Sequence, residues 1–418
     1  MLSQITALYQ SCSCDDHIDI TALDLSKFDR LIDQVAKQLH EGKIKPSDLN
    51  QSMISETYNE LNAGAAKGYG KKWGTFPADG KGKLPLELKK NIYTFSSAKT
   101  YAQLEAINHL LYDIQGKIRP FNEFSQLAKK TGHQFNKNYL QSEYQTARTA
   151  AQMAQKWDKI QETKDLFPNL KFRTVGDSNV RDDHAKLDGV IKPIDDSFWA
   201  KYYPPLDWRC RCDVVPTAES MTTHEEKAMP KVNFKGNVAL DGEIFTTKGT
   251  FFKLVAGDHN VIRNMELSKL NAPYETAYKN EKSKKLEVNI FADPKDLIDN
   301  IRIGEILVDE LNAHLYIRPH LDGHLVKGYK NPEYLINDVM ADRKTPESKN
   351  YSKSLSKANK QECEIVVIDL SVNKDTVENA YNAIERILNK DVHEFIKEVI
   401  IVSSDGNEVR IHKRKKQS

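Results

Sequence analysis

The chain has 418 residues, in which 61 Lys and Arg face 59 Asp and Glu for a formal net charge of +2. That balance excludes a whole-chain field of the kind that draws a protein onto nucleic acid, so any basic surface must be local. Five cysteines, Cys12, Cys14, Cys210, Cys212 and Cys363, are too few and too unevenly placed for a disulfide scaffold, and the length exceeds what one hydrophobic core ordinarily serves, so several domains are expected.

The first twenty residues, MLSQITALYQSCSCDDHIDI, lack the basic and apolar regions of a signal peptide, and no run of about 18 apolar residues is present to span a membrane. From Thr21 to about Phe167 the apolar residues recur at helical steps. Leu23, Phe28, Leu31, Ile32, Val35 and Leu39 form one stripe that stops at Gly42. A second helix is expected after Pro46, with Ser47 as its cap and Gly64 as its end, and a third from Leu84 to Gly116. The Gly- and Lys-rich stretch between them, from Ala65 to Lys83, reads as a solvated linker. One long helix is expected from Gly132 to the residues before Pro168.

From 168 to 255 short strand-like runs alternate with turns rich in Gly, Pro and Asp, as in a small α+β unit. Its last part, 234–258, reads as a β extension. If 208–216 is a strand, alternation sends Trp208, Cys210, Cys212 and Val214 to one face and Arg209, Arg211 and Asp213 to the other. Buried free cysteine packs as a small hydrophobe, which gives the pair a core role. The second reading is a structural Zn²⁺ held by His184, Cys210, Cys212 and a carboxylate such as Asp177 or Asp183. Against it stands the single residue between the cysteines, where two to four are usual. SCSC at 11–14 takes the packing reading.

The words DSNVRDDHAKLDG (177–189), FW (198–199), PP (204–205) and WRCRC (208–212) together resemble the Mu F-like phage head morphogenesis family of minor head proteins. The resemblance covers about 140–216 and implies a minor capsid protein that associates with the portal and other capsid proteins during head assembly, with no enzymatic activity in this part. It also implies that Asp177, Arg181, His184 and the two cysteines bind one another or a metal.

Residues 256–285 read as a linker, with the charge run NEKSKKLE (280–287) at the boundary, and from Leu286 the pattern resets to alternating strands and helices. LYIRPHL reads as a strand, and EYLIND with VMADRKT as a hairpin turning at Asn337 and Asp338. Such a hairpin can bring Glu333, Asp342 and Lys344 to one end of a sheet. Phosphodiester cleavage assisted by Mg²⁺ needs such a set, with carboxylate oxygens to hold the ion and an ammonium to act on the water or the phosphate. Glu305 or Glu310 on the preceding helix is the candidate third acid, and Gln361 ends the following helix.

That order of helix acid, Pro-acid, acid-x-Lys and helix Gln resembles the PD-(D/E)xK nuclease superfamily, and within it the tRNA-cleaving C-terminal toxin domains of contact-dependent inhibition proteins. The matching words are NPEYLIND and ADRKTP. The resemblance implies catalytic Glu333, Asp342, Lys344, Gln361 and Glu305, Mg²⁺ on Glu333 and Asp342, nucleic acid (tRNA, other RNA or DNA) as substrate and an immunity protein as partner. The rival is a metal-independent ribonuclease of the barnase, EndoU, colicin and RelE-like group. It would use Arg318, His320, Lys344, Thr345 and His412, with a histidine as general base and basic residues on the phosphate.

The expectation is therefore a multidomain chain. A helical head-assembly region (1–167) is followed by the small α+β unit (168–255), a linker (256–285) and a mixed α/β nuclease-like toxin domain (286–418). Such a protein would reside in the virion and the host cytoplasm, without membrane contact. A purely structural head protein with a C-terminal binding module is the non-enzymatic alternative.

Overall fold

The computed structural model describes residues 26–74, 83–222, 230, 232–234, 236–390 and 393–414. Cys12, Cys14 and Leu23 lie outside these residues. The chain divides into two compact units, one drawn from 1–74 and 84–268 and the other from 75–83 and 269–418.

The first unit is mostly helical. Helix α1 (Ser26–His40) buries Phe28, Ile32, Val35, Ala36 and Leu39, the three- and four-residue steps of one helical face. Ile32, Val35, Ala36 and Leu39 join Met53, Leu104, Ile107 and Phe124 in one apolar cluster. Helix α2 (Gln51–Tyr69) is capped by Asn50, whose side-chain oxygen accepts from Met53 N at 3.0 Å. Ser47 lies earlier, in a 3₁₀ turn at Pro46–Asp48. The helix runs through Gly64 instead of stopping there, because its glycines make a contact surface. A Cβ on Gly68 would lie 1.9 Å from the Arg148 carbonyl oxygen, and one on Gly64 would lie 3.0 Å from Tyr144. The expected linker is therefore helical as far as Tyr69 and continues in a 3₁₀ turn at Lys71–Gly74.

Helix α3 (Lys83–Asn108) comes next. Helix α4 (Phe121–His133) then passes through a π-helical turn at Gln134–Tyr139 into α5 (Leu140–Glu162), one long helical run that starts before the expected Gly132 and ends at Glu162, short of Pro168.

Strands β1 (Asn169–Arg173), β2 (Ile191–Pro193) and β3 (Asp213–Thr217) form an antiparallel sheet in the order β2-β1-β3. The strand expected at 208–216 begins only at Asp213. Before it the chain makes a turn in which Cys210 N donates to Asp207 O at 3.2 Å and Arg209 sits at φ +53°. Trp208, Cys210, Cys212 and Val214 are nevertheless all buried.

The β extension expected at 234–258 is not formed. Short helices occupy Val238–Asp241 and Thr250–Val255. Asn237 caps the first by accepting from Ala239 N at 3.0 Å, and Gly242 ends it at φ +68°. Asn91 of α3 then accepts the N–H groups of Ile244 and Phe245 at 3.0 and 2.8 Å, so this backbone needs no strand partner.

The expected linker at 256–285 is also ordered structure. Asp258 accepts from Asn260 N and Val261 N to start α6 (His259–Ser268), and β4 (Tyr274–Lys279) pairs antiparallel with β5 (Lys285–Asn289). NEKSKKLE is the tip and return of that hairpin. Asn280 closes it by accepting from Lys284 N at 2.8 Å, with Ser283 at φ +64°. Charge belongs there because a hairpin tip is solvated.

The second unit is built on an eight-stranded mixed sheet whose strands lie side by side in chain order, from β4 at one edge to the last strand at the other. After β5 come α7 (Leu297–Leu311), β6 (Leu315–Ile317), β7 (Tyr334–Ile336) and β8 (Val339–Lys344). They are followed by α8 (Ser352–Lys360), β9 (Ile365–Asp369), α9 (Val377–Leu388), β10 (Glu398–Val402) and β11 (Val409–Lys413). The β7–β8 hairpin turns at Asn337 and Asp338, both at positive φ (+47° and +66°) as a tight primed turn requires. LYIRPHL is strand only over its first three residues. On one sheet face Val366, Ile368, Val399 and Ile401 pack against Leu355, Ala358, Ile384 and Leu388.

Candidate active site

Strand β7 pairs with β8 in the register Tyr334↔Ala341, and one further step places Glu333 opposite Asp342. Residues directly opposite share a face, so Glu333, Asp342 and Lys344 line one side of the hairpin while Tyr334, Ala341 and Arg343 line the other. Asp342 and Lys344 also stand beside Val366 and Ile368 of β9, on the face that carries the Leu355 core.

Asp342 is almost wholly buried. The Lys344 ammonium pairs with its Oδ2 at 2.5 Å. Glu333 Oε2 accepts from Asn300 Nδ2 at 2.8 Å. Burial raises both carboxyls above their ordinary range. The Asn300 bond draws Glu333 back and the Asp342 charge pushes it further up, whereas Lys344 draws Asp342 back. Cys363 adjoins the same charges, and its buried thiol is pushed up to about 12, first by desolvation and then by Asp342.

The opposite side is held by a polar network. Asn300 Oδ1 accepts from Arg343 Nε at 2.6 Å, and Tyr334 Oη donates to the Asn300 carbonyl at 2.8 Å. Arg343 also donates to Thr345 Oγ1 at 2.7 Å and reaches Asp369 Oδ2 at 3.5 Å, where Arg302 donates at 2.6 Å. A buried guanidinium bonded on several sides locks the hairpin that carries the acids.

Helix α7 delivers Asn300 to Glu333, and Glu305 points elsewhere. Five residues on, at 100° each, Glu305 is about 140° around the helix from Asn300. Its carboxyl is raised by burial and by the neighbouring Asp309, to which Tyr278 donates. Glu310 is exposed. Gln361 accepts from Asn331 N at 3.0 Å, two residues before Glu333, and so fixes the approach to the acid.

The rival histidine set does not converge. Arg318 is buried and bonded to the Pro332 carbonyl and the Tyr329 hydroxyl. His320 is exposed, with Asp293 at 3.7 Å. Thr345 is held by Arg343. His412 lies on edge strand β11 against Tyr381. Five strand spacings, roughly 24 Å at about 4.8 Å each, separate β11 from β6 and the residues that follow it.

In the first unit, His184 Nδ1 lies 3.7 Å from Cys210 Sγ and 3.6 Å from Cys212 Sγ. Asp177 instead receives two bonds from Arg211, at 2.7 and 2.8 Å, and Asp183 pairs with Lys186 at 2.7 Å. Arg181 donates to the Trp208 carbonyl at 2.8 Å.

Two family matches fall on these two places. Residues 113–215 match the family described as Phage Mu protein F like protein, and residues 330–407 match the contact-dependent growth inhibition CdiA C-terminal domain. The chain joins a Mu F-like segment to a CdiA C-terminal-like segment. The putative capsid assembly protein F of Escherichia phage Mu is 32% identical over 107 residues, 24% of each chain. The Mu-like prophage FluMu F protein of Haemophilus influenzae is 39% identical over 74 residues, 18% of this chain and 17% of that one. The chain thus spans only 24% and 17% of the lengths of these curated relatives. Among solved structures, the CdiA-CT/CdiI toxin and immunity complex from Burkholderia pseudomallei is 21% identical, with a TM-score of 0.23, covering 29% of this chain and 86% of that one.

The Mu F-like segment contains His184, Cys210 and Cys212. The CdiA C-terminal-like segment contains Glu333, Asp342, Lys344, Thr345 and Gln361, and it excludes Glu305, Arg318, His320 and His412. Asn300, Arg343 and Asp369 were not among the residues expected from sequence. Arg343 stands between Asp342 and Lys344 and could have been noticed as the residue between acid and lysine. Asn300 and Asp369 carry no local signal.

Proposed function

We propose that this is a phage head-associated protein whose C-terminal unit is a toxin that hydrolyses phosphodiester bonds in nucleic acid, with Glu333, Asp342 and Lys344 as catalytic residues. The observation that carries the reading is the buried Asp342, which faces Glu333 across the hairpin and pairs with the Lys344 ammonium at 2.5 Å. Two carboxylates facing each other on adjacent strands offer the hard oxygen donors that suit Mg²⁺. Glu333 and Asp342 would hold it, and when bound it supplies charge neutralisation at the phosphate and a more acidic water.

The remaining chemistry falls to the chain. Lys344 carries a positive charge next to the acids, placed to hold the negative charge that grows on a phosphate oxygen during displacement. Asn300 orients Glu333, and Arg343 keeps Asn300 from turning away. Gln361 fixes the segment leading to Glu333. The raised carboxyls must be ionised to act, so activity should climb with pH through their elevated range.

The Mu F-like segment supports assembly with other head proteins. A toxin made within a host cell also calls for a partner that blocks it, so an immunity protein belongs to this reading. The substrate is RNA, tRNA included, or DNA. The test incubates the purified full chain with total RNA and with plasmid DNA, with Mg²⁺ and with excess EDTA. Cleavage that EDTA abolishes supports the reading, and cleavage that survives chelation overturns its metal dependence.

A further inference from the structure

We propose that His184, Cys210 and Cys212 bind one zinc ion within the Mu F-like segment. The three side chains are buried, at 4%, 2% and 5% exposure, and one donor atom from each falls within a set spanning no more than 4.8 Å. Tetrahedral zinc has ligands at about 2.3 Å for sulfur and about 2.0 Å for nitrogen, which sets sulfur and nitrogen roughly 3.5 Å apart. The separations of 3.7 and 3.6 Å between His184 Nδ1 and the two sulfurs already match that edge.

The one-residue spacing of the cysteines counts against zinc only while 208–212 is a regular strand. It is a turn, with Arg209 in the left-handed region and Cys210 N bonded to Asp207 O, and both sulfurs turn toward the same imidazole. Two thiols converging on one ring nitrogen make a poorly matched hydrogen-bonding group, since that nitrogen can accept at most one good bond. As thiolates, the same two sulfurs neutralise a divalent ion, and their softness selects zinc over Mg²⁺.

Three protein ligands leave a fourth position. A small cleft lined by Val175, Val180, Arg181 and Arg211 opens beside His184 and Cys212. The nearby carboxylates Asp177 and Asp183 are engaged by Arg211 and Lys186. Water from the cleft would complete the coordination. The ion fastens the helical turn Asp182–Ala185 to the segment entering β3, a cross-link between stretches too short to be rigid alone.

The experiment measures metal in the purified full chain by mass spectrometry, and then adds Co²⁺ to chelator-stripped protein. The expected result is about one zinc per chain and a thiolate-to-cobalt charge-transfer band with the intense visible absorption of a tetrahedral ion. Cys210→Ser/Cys212→Ser should lose both signals, whereas Cys363→Ser and Cys12→Ser/Cys14→Ser should keep them. The cobalt titration of the unaltered chain needs no variant to fold. A chain that carries no zinc and gives no thiolate band overturns the proposal, as does zinc that persists in Cys210→Ser/Cys212→Ser.

Discussion

Asn300 holds Glu333 from the first turn of α7, its Nδ2 donating to the carboxylate at 2.8 Å while its Oδ1 takes the Arg343 Nε at 2.6 Å. One amide thus orients an acid of the site and satisfies a buried guanidinium. Asn300→Ala should lower cleavage by about 10- to 100-fold, the usual effect of losing a residue that orients a metal ligand. Substrate affinity should change much less. Steady-state kinetics separate the two, and an unchanged turnover would remove Asn300 from the site.

Glu333 is held at a stability cost. Its folded-state pKa is raised, first by burial, so the fold favours the protonated acid. The stability this contributes is complete below the unfolded-state pKa and disappears as pH rises through the raised value. Glu333→Gln cannot ionise and keeps an acceptor for Asn300. It should be more stable than the parent by about 1 kcal/mol near neutral pH, with the gap closing below about pH 4, while cleavage is lost. Urea unfolding at the two pH values decides it, and a Gln variant less stable at neutral pH contradicts it.

Lys99 of α3 and Glu143 of α5 form an ion pair with essentially no exposure, and Lys99 also donates to the Phe135 carbonyl at 3.1 Å. Removing one partner leaves the other charge buried and unmatched. Lys99→Ala should cost about 3–5 kcal/mol, and Lys99→Met/Glu143→Leu far less, because neither charge then remains. Thermal unfolding of the two variants should rank them in that order.

Much of the second unit could be read from residues alone. Asn337 and Asp338 announced a tight turn, and once the hairpin is granted, Glu333, Asp342 and Lys344 must share a face. The buried positions Trp208, Cys210 and Cys212 were equally legible, because alternation survives even where the strand does not form. Other parts depend on contacts between distant residues. Asn91 rescues the backbone at 244–245 from 153 and 154 positions away, and Asn300 reaches Glu333 across 33. Gly64 looks like a helix end and Gly68 like part of a linker until α5 is seen against them. The run NEKSKKLE misleads for a similar reason, since a solvated hairpin tip and a domain boundary have the same composition, and the two units divide earlier, between Ser268 and Lys269.

Gly68 gives a direct test of that helix contact. A Cβ there would meet the Arg148 carbonyl oxygen at 1.9 Å, a backbone atom that cannot swing aside. Although alanine favours helix, Gly68→Ala should destabilise the first unit by about 1–3 kcal/mol as α2 is forced from α5. Circular dichroism melting checks it, and a neutral or stabilised variant would show the packing to be looser.

The central claim is that Asp342 and Lys344 carry phosphodiester cleavage. Its most direct measurement is nucleic-acid degradation and growth arrest on inducing the full chain in a bacterial cell, beside Asp342→Ala and Lys344→Ala at matched protein levels. The account predicts arrest with cleaved RNA or DNA for the parent, and normal growth with intact nucleic acid for both variants. Variants as toxic and as cleaving as the parent, or a parent that neither arrests growth nor cleaves, would contradict it.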